Sequence, residues 1–163
     1  MVGTSMTAIF FLMYLNSYQI LDHAWFSETR LFMTFIMGAA MMVVMLAFMS
    51  KMYQNRRANI AIFLGAGLLL LAAVGLVRSQ VTVGGVDYME GMIPHHSIAI
   101  LTSERARIED PRVRKLADEI IAAQRREIKE MEWLIADIRA HGAAKSEADA
   151  DARPVPKFSS EPE

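Results

Sequence analysis

Two thioethers and two imidazoles fall within one short stretch, at Met89, Met92, His95 and His96. Thioether sulfur is a soft donor suited to Cu(I), and imidazole suits copper, zinc, iron or nickel. On a helix, Met89, Met92 and His96 share a face by their i, i+3, i+7 spacing, and His95 stands three residues beyond Met92. Gly91 and Pro94 interrupt the same stretch. In a helix interior they cost about 1 and 3 kcal/mol against alanine, and Pro94 leaves the carbonyl of Glu90 without its helical donor. A helix with purely structural duty gains nothing from that cost. The pattern therefore points to a bent segment that aims both histidines at one metal ion. The plainer alternative is that these side chains serve a core or an interface.

The rest of the composition narrows the chemistry. There is no cysteine, which removes disulfide scaffolds, thiolate metal sites and thiol nucleophiles together. Methionine, at 13 residues, is plentiful, so a soft-metal site here is built from Met and His. A net charge of −1 supplies no basic surface for nucleic acid. Apolar residues crowd the first half of the chain and charged ones the second.

The first half reads as a transmembrane region over residues 1–78, with spans at about 6–21, 31–49 and 60–77. The second run carries no charge and extends about 28 Å as a helix, enough to cross the hydrocarbon core. The first run is the weakest, being interrupted by Asn16, Ser17 and Gln19, and it lacks the basic start of a signal peptide. Lys51, Arg56 and Arg57 lie between the second and third runs, so the positive-inside rule places that loop in the cytoplasm. Everything after the third run then lies outside, which in a bacterium means an inner-membrane protein with a periplasmic C-terminal domain. Met33, Met37, Met41, Met45 and Met49 recur every four residues. Each such step drifts about 40° around a helix, so the five spread over about 160°. That is a packing or lipid-facing surface rather than a conducting track.

Residues 79–86 form a linker, and Asp87 is the expected N-cap of a helix running to about Ile108. Tyr88, Met92, His95, Ala99 and Thr102 mark one seam of that helix, and Met89, Ile93, His96 and Ile100 the adjacent one. Asp110-Pro111 restarts a second helix, which ends at His141 with Gly142 beyond it. Ala117, Ile121, Gln124, Ile128, Met131, Ile135 and Ile138 follow a 4-3 repeat typical of helix pairing. Met131 stands where it would complete a Met/His site from the facing helix, with Gln124, Glu127 and Asp87 as supporting polar groups. Two helices of this size, residues 87–141, cannot bury both stripes alone. The fold class expected is thus all-α, three transmembrane helices followed by an extracytoplasmic hairpin that pairs with a second copy into a four-helix bundle. Residues 142–163 are polar and aperiodic, and are expected to be disordered.

The run from Tyr88 to Ile100, centred on Met92-Ile93-Pro94-His95-His96, closely resembles the signature of the domain-of-unknown-function 305 family. The block from Gln124 to Leu134 is similar to that family's second conserved segment, and the likeness covers about residues 86–138. The resemblance implies a ferritin-like helical bundle and a link to periplasmic copper tolerance. Carried over position by position, it implies Met89, Met92, His95, His96 and Met131 as ligands, with Gln124 and Glu127 nearby. Many members carry another Met shortly after the His pair, where this chain has Leu101 and Thr102, which weighs against a thioether-rich site of high capacity. Members often duplicate the unit; a single copy favours a homodimer.

The function expected is a membrane-anchored, non-catalytic metal-binding protein that buffers, delivers or confers tolerance to copper as Cu(I) or Cu(II), with zinc the competing metal. Its partners would be membrane lipid, a second copy, and a copper transporter or copper oxidase. The alternative is a structural module docking onto a membrane transporter. A ferritin-like oxidoreductase is less well matched, because that chemistry wants Glu-x-x-His repeats and no acidic residue lies three positions before His95 or His96.

Overall fold

A computed structural model describes residues 2–13, 26–49 and 52–161, and every regular element among them is a helix. The order is α1 (Val2–Leu12), α2 (Glu28–Met49), α3 (Arg56–Ser79), α4 (Gly85–Arg105), α5 (Pro111–His141) and α6 (Glu147–Asp151). The helices divide into two compact units, α1–α3 and α4–α6.

In the first unit, α2 and α3 have mean hydropathies of 2.4 and 2.7 and are long and apolar enough to cross a membrane. At 1.5 Å per residue they extend about 33 and 36 Å, past the roughly 30 Å of a hydrocarbon core. Both start earlier than the apolar runs alone suggest, because their first turns take in polar residues. Asn55 caps α3 through its Oδ1, which accepts the Ala58 N–H at 3.1 Å. Gln80 closes α3 in the left-handed conformation (φ 51°). Ala39, Ala66 and Ala73 are buried, the small side chains that let helices approach closely without a hydrophobic driving force. α1, with 11 residues, is shorter than a span. The remainder of the expected first span, from residue 14 on, lies outside the described residues. α1 packs on α2, where Met6 covers Gly38 so closely that a Cβ there would collide with its thioether. The Arg30 guanidinium donates to the Met13 carbonyl at 3.0 Å, satisfying one of the acceptors that a helix end leaves open.

In the second unit, α4 and α5 form an antiparallel hairpin around Met89, Ile93, Ile100, Ile121, Ile128 and Ile135. Val86, Met131, Leu134 and Ile138 pack against this cluster. The 4-3 repeat of α5 thus faces the core as its spacing requires. Of the two seams on α4, the one through Met89, Ile93 and Ile100 is buried, whereas Tyr88, His95 and Thr102 of the other are exposed. The N-cap of α4 is Gly84 rather than Asp87; Asp87 sits at the third helical position, and its carboxylate accepts the Gly84 N–H at 3.2 Å. The helix therefore takes in part of the expected linker. It ends at Arg105, three residues short of expectation, where Ala106 turns to extended backbone. α5 starts behind Asp110 with Pro111 in its first turn and stops at Gly142 (φ 81°), a conformation that favours glycine.

Of the tail expected to be disordered, residues 142–161 are described, and they fold back along α5. Arg153 pairs with Asp137 at 2.6 Å and donates to the Gly142 carbonyl at 3.2 Å. Lys129 donates to the Glu161 carbonyl at 3.1 Å, and Phe158 is half-buried beside Val155 and Leu134. Ion pairs and carbonyl contacts order this segment, so it carries no apolar periodicity to read.

Two outcomes follow from this packing. Ile135→Ala removes a side chain that is 1% exposed and should destabilise the hairpin by about 2–5 kcal/mol. Hydrogen exchange across α4 and α5 would show it, while Lys115→Ala, whose side chain is 80% exposed, should change stability by about 0.5 kcal/mol or less. The Arg112 side chain and backbone N–H, both bonded to Asp110, hold its carboxyl below the ordinary range. A depressed carboxyl contributes stability above its unfolded value, about 3.9, and loses it as pH falls through the lower folded value. Amide exchange at the start of α5 should accelerate over that acid window, and Asp110→Asn should abolish the acceleration.

Candidate functional site

Adjacent residues on a helix point about 100° apart, and α4 runs unbroken through Pro94. The two imidazoles therefore diverge. His95 is exposed and His96 is buried, with ring centroids 6.3 Å apart and ring planes at 69°. The structure does not bring both rings onto a common point.

His96 instead turns toward α5. Its Nδ1 lies 3.0 Å from the Met92 carbonyl one turn back, and its Nε2 lies 2.8 Å from Oε2 of Glu127. A carbonyl and a carboxylate are both acceptors, whereas neutral imidazole has one N–H to donate. Two states satisfy this geometry, an imidazolium donating twice or a protonated Glu127; a cation bound by both Nε2 and the carboxylate, with bonds of about 2 Å to each, would need the two atoms to move apart unless they met it at about a right angle. In each case the Nδ1–H bond to a backbone carbonyl holds the ring in place. Metal-ligating histidines are held in the same way, with the second ring nitrogen donating to a carbonyl or carboxylate.

Of the remaining site residues, Met89 is 7% exposed inside the isoleucine cluster, and Met131 packs against that cluster from α5. Met92 and Gln124 are half-buried. Asp87 is engaged at the start of α4. The donors thus divide into a polar pair, His96 with Glu127, and thioethers that double as core. Among the described residues, no three His, Asp or Glu side chains cluster as a closed metal cage. An ion at His96 and Glu127 would complete its shell with thioether, water or a second chain. The N,O pair fits copper or zinc, and a thioether joining it would favour Cu(I).

Two interhelical ion pairs escaped the reading of the sequence. Glu90, buried on α4, bonds Arg139, and Glu104 bonds Arg125. Arg114 adds a bond to the Ser103 carbonyl at 2.9 Å near the turn. Both pairs depend on how α4 and α5 align, and no spacing along either helix alone marks that alignment.

Because Glu127 keeps a 41% exposed side chain, water screens its contact with His96. Glu127→Ala should cost about 0.5–1.5 kcal/mol. A double-mutant cycle with His96→Ala should give a coupling of about 0.5 kcal/mol or more, measured by denaturant unfolding. No coupling would mean that the two side chains do not hold one another.

Residues 85–160 match the family described as a domain of unknown function, DUF305. An uncharacterized protein of Acanthamoeba polyphaga mimivirus is 39% identical over 69 residues, which cover 41% of this chain and 45% of the viral protein. The chain thus spans less than half the length of that curated relative. No solved structure matches the chain. The match starts with α4, takes in α5 and α6, and runs on through the folded-back tail. The unit that carries His96 and Glu127 belongs to the domain-of-unknown-function 305 family.

Proposed function

We propose that this chain is a membrane-anchored metal-binding protein of the cell envelope, with copper as its metal. The observation that carries this reading is the setting of His96. Its ring is fixed by the Met92 carbonyl while Nε2 faces the Glu127 carboxylate at 2.8 Å, a nitrogen and an oxygen donor that a cation would bind once the two side chains part. The thioethers of Met89, Met92 and Met131 on the same hairpin favour copper over zinc. The exposed His95, one residue away, faces away from His96 and would meet a metal arriving from solvent before it reaches the buried ring.

α2 and α3 serve as the anchor, and residues 6–21 would supply a third span. Lys51, Arg56 and Arg57 place the α2–α3 loop in the cytoplasm and the hairpin outside, in the periplasm of a bacterium. The hairpin leaves Tyr88, Val113, Leu116 and Ile120 exposed. Two copies joined through such apolar side chains would make a ferritin-like four-helix bundle. In this role the protein buffers copper or passes it to a copper transporter or copper oxidase, and performs no catalysis.

A second reading draws on the same geometry. His96–Glu127, Glu90–Arg139 and Glu104–Arg125 cross-link α4 to α5, so the histidine could serve as a structural clamp in a module that docks onto a membrane transporter.

Titration of the detergent-purified chain with Cu(I), Cu(II) and Zn(II) separates the two. Protons compete with metal for imidazole, so affinity should weaken steadily from about pH 8 to about pH 5. Glu127→Gln should weaken binding about 10–100-fold, and His96→Ala at least as much. Unchanged Cu(II) and Zn(II) affinity in His96→Ala would leave the clamp as the whole role of that residue.

A further inference from the structure

Four methionines outside the hairpin border a single cavity. Met42, Met45 and Met49 of α2 and Met52 just beyond it line a space of about 440 Å³ at the loop end of α2 and α3. Their spacing is i, i+3, i+7, i+10, which alternates about the helical repeat and holds the three helical members within an arc of about 60°. The every-fourth-residue series crosses this track at Met45 and Met49 and drifts away from it. Met33 and Met37 are exposed elsewhere on α2.

Methionine in a core fills irregular gaps; here the gap remains, with four methionines among the residues that line it. Met42, Met45 and Met49 are half-buried and Met52 is 67% exposed, so none of the four is sealed in a core. The Met52 N–H bonds the Met49 carbonyl at 2.9 Å, and on the other side of the cavity Asn59 donates to the Tyr53 carbonyl at 2.8 Å. No carboxylate or imidazole is among the described residues that line the cavity.

We infer that this cavity is a thioether site for a soft monovalent cation, Cu(I) or its analogue Ag(I). Neutral sulfur donors cannot offset a divalent charge, whereas they match a polarisable d10 ion that carries one charge. The site does not depend on the hairpin. Its affinity should also differ from that of a histidine site in one respect: thioethers do not protonate, so binding should stay level as pH falls.

The test uses the full chain in detergent, with Cu(I) under anaerobic competition by a chelator and with Ag(I). His95→Ala/His96→Ala silences imidazole ligation in the hairpin. That variant should retain about one equivalent of Cu(I), bound through sulfur in the X-ray absorption spectrum and level from about pH 8 to about pH 5. Adding Met42→Leu, Met45→Leu, Met49→Leu and Met52→Leu, which conserve volume, should weaken that binding about tenfold or more. Met33→Leu/Met37→Leu in the same background removes thioethers outside the cavity and should leave it intact. Equal Cu(I) binding with and without the four cavity substitutions would overturn the inference. So would a silenced chain that binds none. Loss of pH-dependent binding in the hairpin variant alone bears on the site at His96 and leaves this one standing.

Discussion

The isoleucine seam between α4 and α5 sets everything else in the second unit. Ile93 and Ile100 meet Ile121, Ile128 and Ile135 in antiparallel register, and this register decides which polar groups face one another. It sets Glu90 against Arg139, His96 against Glu127 and Glu104 against Arg125. A hairpin turned by one helical position would carry the same residues and make none of these contacts. Apolar burial supplies the driving force, and the three polar pairs select one alignment from those the seam allows.

Pro94 takes its place within that frame. The helix passes through it without a break, and Pro94 itself is almost fully buried. Its missing N–H leaves the Glu90 carbonyl without a helical donor, while the Glu90 carboxylate bonds Arg139 across the hairpin. The proline does not aim the histidine pair at one point. Two successive residues on a helix cannot face each other, and that constraint, present in the sequence from the start, separates His95 from His96. What the spacing did convey was the shared face of Met89 and His96, both of which are buried.

Much of the hairpin was legible beforehand because its signals are local. The 4-3 repeat of α5, the Asp110-Pro111 restart and the Gly142 stop each act through a backbone rule that operates within a few residues. The pairing of His96 with Glu127 was not, since it depends on register across 31 positions. The tail was hidden for a related reason: Asp137 and the Gly142 carbonyl receive Arg153 through contacts that leave no hydrophobic pattern. In the first unit the apolar runs marked α2 and α3, but the every-fourth-residue methionine series drew attention from the narrower track through Met42, Met45 and Met49. The two candidate sites consequently differ in chemistry, one built on an imidazole and a carboxylate, the other on uncharged sulfur.

Nitrogen NMR of the His96 ring, recorded before and after one metal equivalent, addresses the central claim most directly. If Nε2 is the ligand, copper or zinc should shift or broaden its resonance together with that of the Glu127 carboxylate, while the Nδ1 proton stays bonded to the Met92 carbonyl. A ring whose two nitrogens respond to added metal no more than those of His141, which is exposed and bonded to Asp137, would contradict it.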